Sequence, residues 1–276
     1  MLEIQRLSLD FLRYRGLWRR ESLSCLQGVS LTLSRGELHA VVGASGAGKS
    51  LMALAVMGLL PANTRMGGTL MLDGTSLDAA RQAALRGTQL AWIPQSIASL
   101  DPLARCGHQV RWAARRAGVS RERSWQAAGR ALQRHGLDAP VGHAYPHSLS
   151  GGMARRVLLA IASVGGAEWL IADEPTVGLE EENRRSVLVR LRQLADAGKG
   201  VLLITHDLRH ALAVADRVTV FHDGTSLETA EASAFRGQGE RLATAYARTL
   251  WRALPDNDFL LPTMPIERAS WEASLA

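Results

Sequence analysis

One stretch decides the fold of this chain: Gly43-Ala44-Ser45-Gly46-Ala47-Gly48-Lys49-Ser50. It matches the phosphate-loop pattern G-x-x-x-x-G-K-[ST] at every fixed position. An apolar run over residues 38–42 precedes the stretch, and a run with helical spacing over residues 51–60 follows it. Strand, glycine turn and helix is the order that the pattern requires, so the stretch predicts a site for nucleotide phosphates.

Each part of the stretch has a defined task at a phosphate. The glycines allow the backbone to wrap the phosphate with its N–H groups turned inward. The helix that starts near Gly48 adds unpaired N–H groups and its positive end. Lys49 supplies a mobile charge for the β- and γ-phosphates, and the Ser50 hydroxyl is suited to ligate Mg²⁺.

A chance glycine-rich turn is the competing interpretation, and the lysine content argues against it. Lysines and arginines together number 32, of which only Lys49 and Lys199 are lysines. One of these two stands where a phosphate loop needs an ammonium rather than a guanidinium. We therefore interpret the stretch as a nucleotide phosphate site rather than a chance turn.

Length and composition limit the class of protein. The 276 residues allow one large domain, or one domain with a lobe, and a hydrophobic content of 47% allows a sizeable core. No apolar run approaches the roughly 18–20 residues that cross a bilayer, and the N-terminus has no signal-peptide core. Cys25 and Cys106 predict neither a disulfide framework nor a metal cluster. We expect a chain that is soluble or is held at a membrane by partners.

The formal net charge of +6 is compatible with nucleic-acid binding, anionic lipid headgroups or arginine-rich codon usage. The arginines are scattered, and they do not alternate with aromatic residues in a stacking pattern. We interpret the charge mostly as solvated surface and expect no nucleic-acid partner.

The chain changes character along its length. Residues 2–11 and 29–33 alternate between apolar and polar residues, as half-buried strands do, and residues 12–24 form a charged connection between them. A further short strand is predicted at 69–72. Together these strands predict an antiparallel layer. From residue 101 to about 163, helical spacing predicts an inserted helical lobe. Strands at 89–93, 169–172, 201–205 and 218–222, with helices at 181–197 and 208–215, predict a parallel sheet.

The predicted fold class is therefore α/β, with two regions. The first is an ATPase-like domain over residues 1–230, into which the helical lobe of 101–163 is inserted. The second, 231–276, is a C-terminal extension with one helix at 240–254 and a loose tail.

Two acids, Asp173 and Glu174, end a predicted buried strand. Ligands of parallel sheets bind at the carboxyl ends of the strands, which places both acids beside the phosphate loop. Since neighbouring strand residues point to opposite sides, Asp173 is the candidate for Mg²⁺ and Glu174 for an attacking water. A polar strand end with a helix-capping acid is the structural alternative, and the phosphate loop favours the functional one.

Ser150, Gly151 and Gly152 open another predicted helix and form a second candidate anion site. An ordinary serine N-cap is the structural alternative. One triphosphate does not need two such helix ends from one chain, whereas a site shared by two chains would use both.

Two further residues follow predicted strands. His206 can hydrogen-bond a γ-phosphate or the attacking water, although a lone strand-end histidine is usually structural. Gln95 can reach Mg²⁺ or the water with its neutral amide, and a turn glutamine is its structural alternative.

Together these stretches resemble the ATP-binding subunits of ABC transporters. The order is that family's: phosphate loop (43–50), glutamine loop (Gln95), signature (149–153), acidic strand (169–174) and switch histidine (His206). The resemblance covers roughly residues 2–228. It implies a P-loop NTPase core with an antiparallel β subdomain and an inserted α-helical subdomain.

A narrower resemblance is to the ATP-binding proteins of dipeptide, oligopeptide and nickel import systems. It rests on residues 95–102, 171–176 and 250–255 and on Met153 in the signature. The C-terminal cysteine cluster of some peptide-system members is absent, which tilts the resemblance toward the nickel or metal-chelate branch. Glu180 stands where the family often has aspartate. The family's adenine-stacking aromatic falls at Phe11, with Tyr14 as the alternative.

The resemblance implies an ATP hydrolase that drives uptake of a small solute. Its cofactors would be ATP and Mg²⁺, with Ser50, Gln95 and Asp173 around the metal and Glu174, His206 and Gln95 in catalysis. Its partners would be a second ATPase subunit in a homo- or heterodimer, two transmembrane permeases and a substrate-binding protein. It would work at the cytoplasmic face of the cell membrane, as a peripheral protein.

In such a dimer, Ser150, Gly151 and Gly152 of one chain would meet the γ-phosphate held by Lys49 of the other. Two alternatives stay open at this point. A soluble ABC-type ATPase could act on nucleic acid, which the net charge suggests, or the chain could drive export.

Overall fold

The structure is a computed structural model that describes residues 1–15 and 19–254. It divides into two compact units, Met1–Ser233 and Ala234–Ala276. The strands, in chain order, are β1 (Leu2–Arg15), β2 (Arg19–Leu33), β3 (Leu38–Gly43), β4 (Thr64–Leu72), β5 (Thr75–Ser76), β6 (Leu90–Ile93), β7 (Trp169–Asp173), β8 (Gly200–Thr205), β9 (Arg217–His222) and β10 (Thr225–Glu231). The helices are α1 (Lys49–Met57), α2 (Ala79–Leu85), α3 (Cys106–Arg116), α4 (Arg121–Arg134), α5 (Ala139–His143), α6 (Gly151–Val164), α7 (Glu181–Asp196), α8 (Leu208–Leu212) and α9 (Ala245–Arg252).

The first unit contains two β-sheets. The smaller sheet is antiparallel, with the strand order β2-β1-β4-β5. The larger has the order β10-β9-β3-β8-β7-β6 and is parallel except for the pair of β10 and β9. Both the antiparallel layer and the parallel sheet predicted from the sequence are present.

The burial of the strands explains their sequence patterns. Every residue of β3, β7 and β8 is buried, so these central strands are mostly apolar rather than alternating, with His39, Asp173 and Thr205 as their polar members. In β1, the buried residues Leu2 and Ile4 are followed by Leu7 and Leu9. The spacing of two between buried residues is broken once, between Ile4 and Leu7, by one extra residue. The pairing of β1 with β2 shifts register at this point, and Arg6 has a φ of 49° there.

The helical lobe lies between β6 and β7 in the chain. It contains α3, α4, α5 and α6, and α3, α4 and α6 all pack against one another. Val110, Ala128 and Leu132, which the helical spacing selects, are buried between these helices. Among the described residues, none of the helices combines the length and the apolar character that crossing a bilayer requires.

Several predicted boundaries are wrong in the first unit. Residues 12–15 and 19–24, expected to form a connection, continue the hairpin of β1 and β2, paired from Phe11 with Leu23 to Arg15 with Arg19. This end of the hairpin is stabilised by cross-strand pairing, and its residues do not alternate between apolar and polar. The hydrophobic pattern of the sequence therefore did not predict strands there. β4 begins at Thr64 rather than at 69, because it continues to pair with β1.

The C-terminal prediction also differs from the structure. Residues 225–231, for which no strand was predicted from the sequence, form β10, which returns from β9 through a tight turn at Asp223 and Gly224, both with positive φ. In the second unit, α9 begins at Ala245 rather than at 240, because the Thr244 hydroxyl caps it by accepting from the Ala247 N–H. The predicted tail after residue 254 lies outside the described residues, and the predicted domain boundary stays a prediction.

A carboxylate at the start of β3 joins three strands. Glu37 Oε1 accepts from Arg217 Nε at 2.7 Å, and Oε2 accepts from the Ser34 N–H at 2.7 Å. His39 Nδ1 lies 3.4 Å from Oε1. Burial favours the neutral acid, but the donors His39, Arg217 and Ser34 outweigh it and lower the pKa of Glu37 to about 2.

This lowered pKa predicts a pH-dependent contribution to stability. Glu37 should stabilise the fold above its unfolded pKa of about 4.5, by up to about 3 kcal/mol, and the contribution should vanish as the pH falls toward 2. Urea unfolding of the wild type and of Glu37→Gln should therefore differ most at pH 7 and least near pH 2. A difference that is independent of pH would contradict the assignment.

Two tryptophans of different burial test the core. Trp169 in β7 is fully buried, and its ring packs where Gly200 leaves room, since a Cβ there would lie 2.4 Å from the ring. Trp169→Ala should lower the free energy of unfolding by about 3–5 kcal/mol. The same change at Trp112, which is 51% exposed, should cost less than about 1.5 kcal/mol in the same urea titration. Equal costs would show that Trp169 is not part of the packed core.

Candidate nucleotide site

The predicted phosphate loop joins β3 to α1. β3 ends at Gly43, and α1 begins at Lys49 after Gly48, which has a left-handed φ of 95°. A Cβ at Gly43 would lie 2.3 Å from the carbonyl oxygen of Phe221, and one at Gly48 would lie 2.5 Å from Leu26 Cδ2. Both positions therefore require glycine, the first for close backbone approach and the second also for its dihedral angles.

The Lys49 side chain folds back onto the loop. Its Nζ donates to the carbonyl oxygens of Gly43 at 2.8 Å and of Ala44 at 2.9 Å. The residue is only 6% exposed. Burial lowers the pKa of Lys49, and the nearby carboxylates of Glu174 and Asp173 oppose that change. The ammonium is thus held at the loop, among groups that it can exchange for phosphate oxygens.

Ser50 and Asp173 bring two oxygen ligands together. Ser50 Oγ donates to Asp173 Oδ1 at 3.0 Å. Asp173 is 2% exposed, and its pKa is raised to about 6, first by burial and then by Glu174, against the effects of Ser50 and Lys49. A hydroxyl beside a buried carboxylate is a donor set that suits a hard divalent cation.

Glu174 follows directly and is held on two sides. His206 Nδ1 lies 3.0 Å from both Oε1 and Oε2 of Glu174, and the Glu174 N–H donates to the Ile204 carbonyl at 2.8 Å. The residue has a φ of 47°, a left-handed conformation that is uncommon for glutamate. Such strain persists only where the surroundings hold it, and the contacts of β8 and His206 supply that support.

Arg155 is a residue that the sequence reasoning missed. It lies on α6, is only 8% exposed, and its Nη1 donates to the carbonyl oxygen of Glu174 at 3.1 Å. Burial lowers its pKa, and the charge of Glu174 opposes that change. An arginine on the buried face of an otherwise apolar helix was the available signal. It connects the helix that begins at the signature to the backbone of the candidate base.

One cavity of about 210 Å³ brings together residues of the phosphate loop, Gln95 and Glu174. It is lined by residues of the phosphate loop and of three other positions: Ser45, Gly46, Gly48, Lys49, Ser50, Leu51, Gln95 and Glu174. Asp173 adjoins it through its hydrogen bond with Ser50, and His206 through Glu174.

Outside the phosphate loop, four predicted residues (Ser150, Gly151, Gly152 and Phe11) neither line this cavity nor adjoin it through those hydrogen bonds. Ser150 is the N-cap of α6, and its hydroxyl accepts from the Met153 N–H at 3.3 Å. Ser150 and Gly151 are both exposed at this helix end. Gly152 has the side chains of Leu179 and Asn183 nearby. Phe11 is partly buried against the core of the first unit, so its ring is only partly available for stacking. The side chain of Tyr14 lies outside the description.

Comparison with known proteins agrees with this geometry. Residues 26–177 match the family model described as ABC transporter. The chain therefore belongs to the ABC transporter family, as its five ordered motifs predict. The matched residues include the phosphate loop and the acidic strand.

Two relatives are named as ATP-binding proteins of transport or import systems. The oligopeptide transport ATP-binding protein OppD of Lactococcus lactis subsp. cremoris (strain SK11) is 34% identical over 266 residues, 92% of this chain and 76% of that protein. The glutathione import ATP-binding protein GsiA of Salmonella paratyphi A (strain ATCC 9150 / SARB42) is 35% identical over 256 residues. That match spans 85% of this chain and 40% of GsiA.

Solved structures confirm the predicted fold class. A structure of an ATP-binding subunit of an ABC transporter has a TM-score of 0.71 and 27% identity, with 90% of this chain and 97% of that chain covered. The dimeric post-hydrolysis state of the ATP-binding cassette MJ0796, bound to ADP and Pi, has a TM-score of 0.73 and 23% identity. It covers 86% of this chain and all of that one, and at this identity it speaks for the fold alone.

The contact of Arg155 predicts a cost in stability. Arg155→Leu leaves the Glu174 carbonyl with only the Val177 N–H at 3.4 Å, so the free energy of unfolding should fall by about 1–3 kcal/mol. Arg185→Leu, an exposed position on α7, should change it by less than about 0.5 kcal/mol. Urea unfolding without nucleotide measures both, and equal effects would remove the special role of Arg155.

Proposed function

We propose that this chain is the ATP-binding subunit of an ABC import system and hydrolyses ATP to drive uptake of a peptide-class solute through partner permeases. The observation that carries the proposal is the convergence of Lys49, Ser50, Gln95 and Glu174 on one cavity. The name of GsiA supports import as the direction of transport, and the names of both relatives favour a peptide over the nickel or metal-chelate cargo that the missing cysteine cluster suggested. Neither nucleic-acid action nor export has a comparable observation in its favour.

Nucleotide binding would exchange the present contacts of Lys49. Its ammonium would leave the carbonyls of Gly43 and Ala44 for phosphate oxygens, while the loop N–H groups hold the same phosphates. Ser50 and Asp173 would hold Mg²⁺, with Gln95 at the cavity wall. When bound there, the ion would neutralise charge on the phosphates.

Glu174 would polarise the attacking water. His206 bridges both of its carboxylate oxygens, which orients the carboxylate. Arg155 binds the carbonyl of Glu174, and the Ile204 carbonyl accepts from its N–H, so the backbone is fixed on both sides of this residue. The candidate base therefore has a defined position before the substrate arrives.

A second ATPase subunit would complete each site. Ser150 and Gly151 are exposed at the start of α6 and do not line the cavity of their own chain. A helix N-terminus with small residues can approach an anion closely, so this end would meet the γ-phosphate held by the partner. The partner is either a second copy or a homologous subunit.

Two permease subunits and a substrate-binding protein would complete the system. Exposed apolar side chains follow Gln95 along the chain, with Ile97 at 41% and Leu103 at 88% exposure. Such side chains suit a docking surface for a permease. Through this surface the chain would sit at the membrane as a peripheral subunit.

Replacement of the candidate base tests the hydrolysis step. Glu174→Gln in the assembled complex should lower ATP turnover by about 10²–10⁴-fold because an amide cannot accept the proton from water. ATP affinity should be retained, since the phosphate loop is unchanged. Glu3→Gln, the same change in the antiparallel sheet, should leave turnover unaltered. Unchanged turnover in Glu174→Gln would refute the role.

The transport function needs a separate measurement. The chain, purified with its permeases in vesicles, should show uptake of a peptide that depends on ATP and on a binding protein. Co-purification with DNA or RNA in a salt-sensitive manner, without permeases, would instead support the nucleic-acid alternative.

A further inference from the structure

A second charged cavity lies in the first unit, and none of its lining residues belongs to the phosphate loop or to the cavity beside it. It has a volume of about 430 Å³ and lies where the end of α4, α6 and α7 meet. Four arginines line it, Arg134, Arg156, Arg185 and Arg190, together with a single acid, Glu182. We call these four residues and the space between them the arginine cleft.

The arginines of the cleft lack acidic partners. Within residues 1–15 and 19–254, none of the four forms a salt bridge. Arg192, also on α7, shows the contrast, because it pairs with Asp196 at 2.8 Å and with Asp216 at 2.7 Å. The four arginines of the cleft thus outnumber its single acid, Glu182, whereas a neighbouring arginine is paired with two acids.

Two guanidinium groups are held in place but only partly satisfied. Arg156 Nη1 donates to the Gly136 carbonyl at 3.0 Å, and Arg190 Nη1 donates to Gln193 Oε1 at 3.0 Å. The Nε atoms of both arginines are buried without a hydrogen-bond partner. Buried donors normally find acceptors, so these two have capacity for a ligand.

A buried histidine reports the positive potential. His135 lies in the wall of the cleft, is 7% exposed, and its Nε2 is 2.9 Å from Ser163 Oγ. Burial first, and then the charges of Arg190, Arg134 and Arg156, lower its pKa to about 4. An anion in the cleft would counter the arginines and raise that pKa.

The shape and chemistry of the cleft favour a small ligand. Its volume lies in the range of small-molecule sites, roughly 300–1,000 Å³. Guanidinium forks match the oxygens of phosphate in pairs, which ammonium groups do not. Arg134 also lines a wider neighbouring cavity with Arg123 and Arg130, which extends the positive potential and would steer anions to the cleft.

We propose that the arginine cleft binds a compact, multiply charged phosphate compound, at a site separate from the phosphate loop. Such a ligand would contact α4 and α6 of the helical lobe and also α7, the helix that follows the acidic strand. It would therefore connect the lobe to α7. The site does not depend on the proposed transport function.

Binding of sodium tripolyphosphate by calorimetry tests the cleft. The phosphate loop is removed from the measurement by Lys49→Ala, and one equivalent should still bind at 150 mM salt. Arg185→Gln with Arg190→Gln should weaken that binding at least about tenfold, because charge-assisted hydrogen bonds are lost. The control pair Arg6→Gln with Arg65→Gln removes the same charge from exposed positions of β1 and β4 and should leave binding unchanged.

The pKa of His135 and a single variant at Arg185 give two further tests of binding in the arginine cleft. The pKa of His135, followed by NMR, should rise on addition of tripolyphosphate in the Lys49→Ala protein. If a double variant does not fold, Arg185→Gln alone serves, since that side chain is exposed. No binding, equal loss in the control pair, or binding only of oligonucleotides or of phosphatidylglycerol vesicles would overturn the proposal.

Discussion

A cation and two carboxylates are buried together where the central parallel strands end, and the surrounding structure depends on their mutual compensation. Lys49, Asp173 and Glu174 are each at most 6% exposed. Buried charges are costly unless they are paired and hydrogen-bonded. Loop carbonyls, the Ser50 hydroxyl, His206 and the buried Arg155 provide those partners here. The partners come from β3 and the loop after it, α1, α6 and the end of β8, so elements distant in the sequence contribute to one polar cluster.

This compensation also accounts for the strained backbone at Glu174. A left-handed glutamate is unfavourable in isolation, yet its N–H and its carbonyl both have partners, Ile204 and Arg155. The side chain is fixed by His206 in turn. A base that is positioned in advance has less to reorganise when its substrate binds.

The two phosphate-suited cavities use cations of different chemistry. At the phosphate loop a single lysine, on a flexible stem, can move between backbone carbonyls and phosphate oxygens. In the arginine cleft the guanidinium groups of Arg156 and Arg190 are fixed by bonds to Gly136 and Gln193. A chain that has only two lysines thus keeps one for the mobile role and uses arginine where rigid recognition is needed.

Local sequence patterns determined the elements around the nucleotide. The glycines and Lys49 of the loop specify a turn between strand and helix, and the apolar run of β3, interrupted only by His39, specifies a strand buried on both faces, because these requirements act within a few residues. The hairpin after Phe11 and the strand β10 depend on pairing with another strand, and their residues carry no such pattern. Tertiary structure alone decided the contact of Arg155 with Glu174 and the meeting of Arg134, Arg156 and Arg190. These residues lie on different elements, and only the packing of those elements brings their charges within reach of one another.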